Sequence, residues 1–323
     1  MRIDAVWDVR RGYAKQARAM KAQATFYHRA ALACALLAAV MAFVALLPVP
    51  GVTWHIRLAN LLGAAAMAAA AVFGKEVLTN KLEEKWLAAR GLAETLTTEC
   101  FRYAGHAAHY TGDDVTDGQG FAGRVGELLA QSAKAGLTSP EFDQVNSSTY
   151  QVTNGVDPRC PAQGMTADWY LSNRLRDQCN WYIAAKSAND RAGRRLRWIG
   201  LAVALAAAFS GLAGAARYEA LGQWGFAPAA LLGMLITVGT AIAAYGLLDH
   251  RASLAATYGA AAMQLQLVDS AQWNDATLPQ LVDTTEALLA AEQGIWAVHI
   301  GRNLPAQAPS PEPPAQTGEA DQN

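Results

Sequence analysis

Charge is absent from four long stretches of this 323-residue chain. No Asp, Glu, Lys or Arg lies within residues 30–47, 58–73, 198–216 or 220–248. Cysteine is scarce as well: Cys34, Cys100, Cys160 and Cys179 show no CxxC spacing, which argues against a zinc site or a disulfide framework. Excess charge of either sign is missing too, since the net charge is -1, and that argues against a dedicated nucleic-acid binder. The chain has no P-loop, and Gly118-Gln119-Gly120 lacks the third glycine of a dinucleotide site. No nucleophile setting is recognisable, so neither catalysis nor a cofactor is expected.

What is present in the four stretches is alanine, leucine and glycine at close to the length that spans a bilayer. A helix needs about 20 apolar residues for the hydrocarbon core at roughly 1.5 Å rise each. Overall mean hydropathy is only +0.08, so a buried helix of a soluble protein is the competing reading. Brief turns join the stretches pairwise, and Lys and Arg crowd one side, as a membrane imposes. Arg2, Arg10, Arg11, Lys15, Arg18, Lys21 and Arg29 precede the first stretch; Lys75, Lys81, Lys85 and Arg90 follow the second. Arg191, Arg194, Arg195 and Arg197 crowd the start of the third, where anionic lipid is the simplest partner. The two turns carry only Arg57 and Arg217. The positive-inside rule then places both termini in the cytoplasm of a multi-pass protein of the inner (plasma) membrane.

The fold expected is all-α: two transmembrane hairpins, four spans, and cytoplasmic helical bundles. Residues 1–136 form a first unit, 137–165 a linker, 166–302 a second unit and 303–323 a disordered, Pro-rich tail. Basic helix, hairpin and returning amphipathic helix thus occur twice, each half making its own bundle. The returning helix of the first unit carries Leu78, Leu82, Trp86, Ala89, Ala93, Leu96 and Cys100 at helical spacing and is expected to run from Lys75 to about Tyr110. A loop is expected over 111–120 and a helix over 121–135. Thr166 offers an N-cap for a helix leading into the third span, and Trp273-Asn274-Asp275 a break before the last helix.

Polar groups inside the spans are few. Asn60, Gly63, Ser210, Gly214, Gly233 and Thr237 are the candidates for span packing or a pore lining. Hydroxyls in such positions more often satisfy their own helix backbone than line a conduit. The absence of an ionisable group argues against a secondary transporter. His106 and His109 share a helix face, but a metal between them is disfavoured for want of further ligands. Trp86, Trp181, Trp273 and Trp296 are expected in the core, Trp54, Trp198 and Trp224 at the headgroups, and Lys186 could pair with Glu292.

Tyr170-Leu171, Arg174-Leu175, Gln178, Trp181-Tyr182, Lys186 and Asn189 resemble the helix that leads into the membrane in SLATT proteins. Tyr258, Leu265, Trp273, Glu286, Glu292 and Trp296 resemble the same domain's returning and closing helices. Trp86, Arg90, Ala93-Glu94 and Arg102-Tyr103 resemble a sister version of that domain, with Trp7, Arg10 and Tyr13 in its leading helix. The resemblance covers about residues 7–300. It implies an oligomeric membrane effector of a prokaryotic conflict system, of the kind that serves antiphage defence. Such a protein would form a pore or perturb the bilayer after an upstream nucleotide sensor or nucleotide signal acts on its cytoplasmic helices. A membrane-anchored scaffold that binds a cytoplasmic partner without conduction is the alternative.

Overall fold

The computed structural model describes residues 2–45, 54–79, 82–134, 136–137, 157–216, 231–239 and 251–299, and among these every regular element is helical. Helix α1 (Ile3–Ala45) is a single rod of roughly 65 Å at about 1.5 Å per residue. Besides Trp7, its buried residues Val6, Tyr13, Ala17, Ala24 and Ala38 keep a spacing of four, seven or a multiple of seven, so one seam faces its partners along the helix. The polar half of that seam packs on α3 (Leu82–Ala104) and the apolar half on α2 (Trp54–Thr79). Gly63 lies at the contact in the apolar half, where a Cβ would meet that of Met41 at 3.4 Å, an ordinary van der Waals separation.

Both α1 and α2 are long and apolar enough to cross a membrane, over Ile3–Ala45 and Trp54–Glu76. Their apolar parts also leave large side chains uncovered: Leu61 is 67% exposed and Met67 54%. These helices support a membrane location for the first hairpin. The expected rod from Lys75 to Tyr110 is helical over α2 to Thr79 and over α3 from Leu82, with Asn80 and Lys81 outside the described residues. Its far end is shorter than expected. At Ala104 the helix stops, and His106 and Ala108 take left-handed backbone conformations that turn the chain.

The loop expected over 111–120 is a helix from Asp114 onward. Helix α4 (Asp114–Lys134) starts there because the Asp113 carboxylate accepts the Thr116 N–H at 2.7 Å. Two glycines, Gly118 and Gly120, made that first turn look like loop. Tyr103 then stacks flat on Phe121 at 4.5 Å, fastening α4 to α3.

Thr166 caps the next helix as expected, its hydroxyl accepting from the Trp169 N–H at 3.2 Å. One turn of α5 (Ala167–Tyr170) passes into a π turn (Leu171–Leu175) and then into α6 (Arg176–Ala216). The apolar end of α6 is uncovered, with Trp198 70% and Phe209 69% exposed. Residues 231–239 are helical (α7), and a Cβ on Gly239 would stand 3.4 Å from Val203 of α6. The rest of the fourth stretch lies outside the described residues. Helix α8 (Arg251–Asp269) runs back along α6, and a turn over Asp275–Thr277, capped by Asn274, leads to α9 (Leu278–His299).

The expectation of one bundle per half is revised by the packing. The first core draws Val6, Trp7, Tyr13, Leu96, Phe101, Tyr110, Phe121 and Val125 from the first half. It also takes Tyr170, Leu171, Leu175, Leu278, Leu281 and Val282 from the second. A smaller core holds Cys179, Tyr182, Tyr258, Ala261, Ala262, Leu265 and Leu289. The reason is α9, which presents apolar residues to both sides and so ties the halves together.

Candidate functional site

Where the halves meet, α9 carries three acidic residues at positions 283, 286 and 292. Asp283 takes a hydrogen bond from the Arg102 guanidinium of α3 at 3.2 Å. One turn on, Glu286 is fully buried and receives four hydrogen bonds. The Tyr170 hydroxyl and Arg174 Nε donate to Oε1 at 3.0 and 2.8 Å. Arg174 Nη2 and the Thr98 hydroxyl of α3 donate to Oε2 at 2.9 and 2.7 Å. Residues of α3, α5, the π turn and α9 thus converge on one carboxylate. The Arg174 guanidinium also lies over the Phe101 ring, 4.9 Å from its centroid.

Burial by itself would push the Glu286 carboxyl up, but the Arg174 charge and the donated hydrogen bonds outweigh it and hold it below the usual carboxylate range. Burial would lower Arg174, and Glu286 reverses that, so its guanidinium is held more firmly charged. The Tyr170 hydroxyl is pushed well up by burial and by the adjacent Glu286 charge. The pair is therefore ionised, dry and geometrically complete. Taking two charges out of water costs several kcal/mol each, so its net worth lies less in stability than in which surfaces can meet.

A second carboxylate behaves differently. Glu292 accepts the Tyr182 hydroxyl at 3.0 Å, but its buried Oε1 has no hydrogen-bond partner among the described residues. Burial raises its pKa, only partly offset by the Arg90 charge and the Tyr182 hydrogen bond. A carboxyl raised on folding contributes stability below its unfolded pKa and loses it as pH climbs through the folded value. Glu292→Gln, which keeps an acceptor for Tyr182, is therefore expected to be near neutral at acid pH. It should gain on the order of 1 kcal/mol at pH 8, measured as the unfolding midpoint in detergent at the two pH values. A midpoint difference that is the same at both pH values would refute this.

The residues singled out from sequence are distributed as follows. Arg174 is at the Glu286 cluster, and Tyr182 and Glu292 pair with each other. Arg90 lies over the Trp181 ring at 5.8 Å, and both it and Glu94 are charged neighbours of Glu292. Tyr258 stands 5.4 Å from Trp181 and 5.8 Å from Tyr182, ring to ring. Trp181 is 43% exposed, not core, because it sits at the open edge between α3 and α8. Trp86 is half-buried under the Lys21 ammonium. The anticipated partnership of Lys186 with Glu292 is replaced by the Tyr182 bond, while the Lys186 stem lies against Gly259 of α8. Gln178 is half-buried. The side chain of Trp296 and the surroundings of Gly214 lie outside what is described, as does Trp224.

Within the apolar stretches, Asn60 is exposed. The Ser210 and Thr237 hydroxyls donate to the carbonyls of Ala206 and Gly233, each four residues back. A Cβ on Gly233 would meet no atom of the described residues within 4 Å outside its own helix. His106 and His109 do have carboxylates nearby, contrary to the sequence reading, but separate ones: Asp117 at 3.7 Å and Glu99 at 3.5 Å. Among the described residues no group of three or more His, Cys, Asp or Glu could hold a metal. Burial raises the Cys100 thiol and pushes Cys160 up to about 11, which leaves both poor nucleophiles.

Sequence reasoning missed Thr98, Phe101 and the central place of Glu286. One signal was available. Thr97-Thr98-Glu99 puts three polar residues in succession on a helix whose neighbours Leu96 and Cys100 are core, so one face had to bury polar groups.

Residues 12–117 match a family described as "Protein of unknown function (DUF4231)". Residues 170–296 match the family described as "SMODS and SLOG-associating 2TM effector domain 1". Comparison with curated proteins and with solved structures gives no match. The second match begins at Tyr170 and ends just beyond Glu292, so it takes in Arg174, Glu286 and the helix that joins them to the third apolar stretch. Residues 170–296 are thus similar to a SLATT-type two-TM effector domain and residues 12–117 to a DUF4231-type segment, which is consistent with a SLATT-containing protein.

Proposed function

We propose that this protein is a non-enzymatic, four-span effector of the inner membrane in a prokaryotic conflict or antiphage system. It works as a homo-oligomer that forms a pore or perturbs the bilayer, and its cytoplasmic helices receive the trigger. That trigger is a nucleotide signal or a separate sensor protein. The observation that carries this reading is the continuity of one helical path. The residues around Glu286 pass through the π turn into α6, which runs unbroken into an exposed apolar stretch ending at Ala216. A change at the polar junction therefore has a rigid lever into the bilayer. The effector family matched over this segment supports the same conclusion.

The test is release of a trapped dye from liposomes holding the purified full chain, with and without candidate cyclic nucleotides. Release by an oligomer supports the effector reading. A stable oligomer that never releases dye supports the scaffold reading, in which the helical core binds a cytoplasmic partner and the spans only anchor it. One observation favours that second reading: the hydroxyls of Ser210 and Thr237 are spent on their own helices and offer no polar lining.

A further inference from the structure

The π turn at Leu171–Leu175 lies where one helix leaves the first core and enters the second. Upstream and within it, Tyr170, Leu171 and Leu175 pack among Phe101, Leu278, Leu281 and Val282 of the first core. Downstream, Cys179 and Tyr182 pack with Tyr258, Ala262 and Leu265 of the second. The Arg176 N–H bonds to the Leu171 carbonyl, five residues back, so this turn holds one residue more than an α-turn. Removing that residue would turn one set of side chains by about 100° against the other. An uninterrupted α-helix therefore cannot fill both cores, and the π turn adapts one packing register to the other.

That adapter is held from outside itself. Arg174 is a member of the turn, and its guanidinium is bound by Glu286 of α9 and covered by Phe101 of α3. The Tyr170 hydroxyl, just before the turn, and Thr98, on α3, complete the same cluster. Among the described residues, α3 meets the second core where the Arg90 guanidinium lies over the exposed Trp181 ring. Of α9, Leu289 packs in the second core and Glu292 accepts the Tyr182 hydroxyl.

We propose that the π turn is a hinge between the two halves and that the Arg174–Glu286 cluster, completed by Thr98 and Phe101, is its latch. With the latch closed, the DUF4231-type half holds α6 and α8 in the resting position. With it open, α6 and α8 move together about residues 171–175, and the apolar end of α6 moves with them. This rests on the effector reading above and assigns its regulation to a named contact inside one chain.

The experiment uses the full chain with Arg90→Cys and Trp181→Cys, joined by a short, reductant-cleavable bis-thiol reagent. With Glu286 intact, efficient cross-linking and little dye release from liposomes are expected. Adding Glu286→Gln should lower the cross-link yield about fivefold and raise dye release about tenfold, the scale of a shifted two-state population. Cross-linking this variant before reconstitution should silence the release, and reductant should restore it. A folded Glu286→Gln variant that cross-links as well as its parent overturns the hinge, whatever the liposomes do. A lowered yield without any dye release leaves the hinge standing and overturns the effector reading. Should Glu286→Gln lose its helical circular dichroism, Thr98→Val removes only one hydroxyl. It is then expected to move both readings in the same direction, by about twofold, and unchanged cross-linking in it overturns the hinge.

Discussion

Glu286→Leu in the presence of Arg174 is expected to destabilise the protein by about 3–5 kcal/mol, because it strands a buried guanidinium. Arg174 is 5% exposed and Glu286 0%, so neither charge can turn to water without opening the core. The hydroxyls of Tyr170 and Thr98 would lose their acceptor at the same time, adding the cost of two unmade hydrogen bonds. Replacing both partners, Arg174→Met with Glu286→Leu, is expected to recover most of the loss, since packed apolar groups escape the desolvation penalty. The double-mutant cycle is read by chemical unfolding of detergent-solubilised protein. Additive losses across the cycle would show that the two charges do not act as a pair. Recovery of stability with altered cross-linking between α3 and α6 would show instead that the pair specifies geometry.

The second large effect concerns the exposed apolar surfaces. Leu61→Arg in α2 and Leu205→Arg in α6 place a charge where the side chains are 67% and 51% exposed. On a water-facing helix such a change is worth no more than about 0.5 kcal/mol and improves solubility. At the centre of a membrane span it costs about 2.5–3.5 kcal/mol for insertion. Each variant is therefore expected to lower the fraction of the full chain that resists alkaline extraction from membranes. Leu61→Arg tests the first hairpin, whose helices α1 and α2 meet the length and hydropathy of a span. Leu205→Arg tests the third stretch separately. If it stays fully extractable-resistant while Leu61→Arg does not, the third stretch does not span and the four-span reading falls.

Helix positions were largely legible because each rests on local signals. The spacing of Leu82, Trp86, Ala89, Ala93, Leu96 and Cys100 announced α3, and all but half-buried Trp86 are buried. Thr166 was readable as a cap from its place before Asp168, and its hydroxyl does cap. The errors arose where local signals point both ways. Gly118 and Gly120 suggested a loop, but the Asp113 cap and the burial of Phe121 and Val125 sustain α4 through them. Trp181 looked like core by composition, and only the arrangement of α3, α6 and α8 leaves its ring at an edge.

The candidate site was legible one residue at a time and illegible as a cluster. Arg174 and Glu286 are 112 residues apart in the chain and Thr98 and Glu286 are 188 apart. Nothing in the periodicity of either segment states which carboxylate an inward arginine will meet. The choice of Tyr182 over Lys186 as the partner of Glu292 has the same origin. A lysine stem reaches water at little cost, whereas a buried tyrosine hydroxyl needs an acceptor close by.

By itself, the sequence determined the helical class, the uncharged stretches and their basic flanks, and the family of the second half. These follow from local propensity, hydropathy and side-chain period, which act over a few turns of chain. Only the tertiary structure decided that α9 joins the two halves, that Glu286 gathers Thr98, Tyr170 and Arg174, and that a π turn marks the crossing between two cores. Those depend on which faces meet, and a desolvated charge pair distinguishes one meeting of alanine-rich helices from another where apolar contact alone would not.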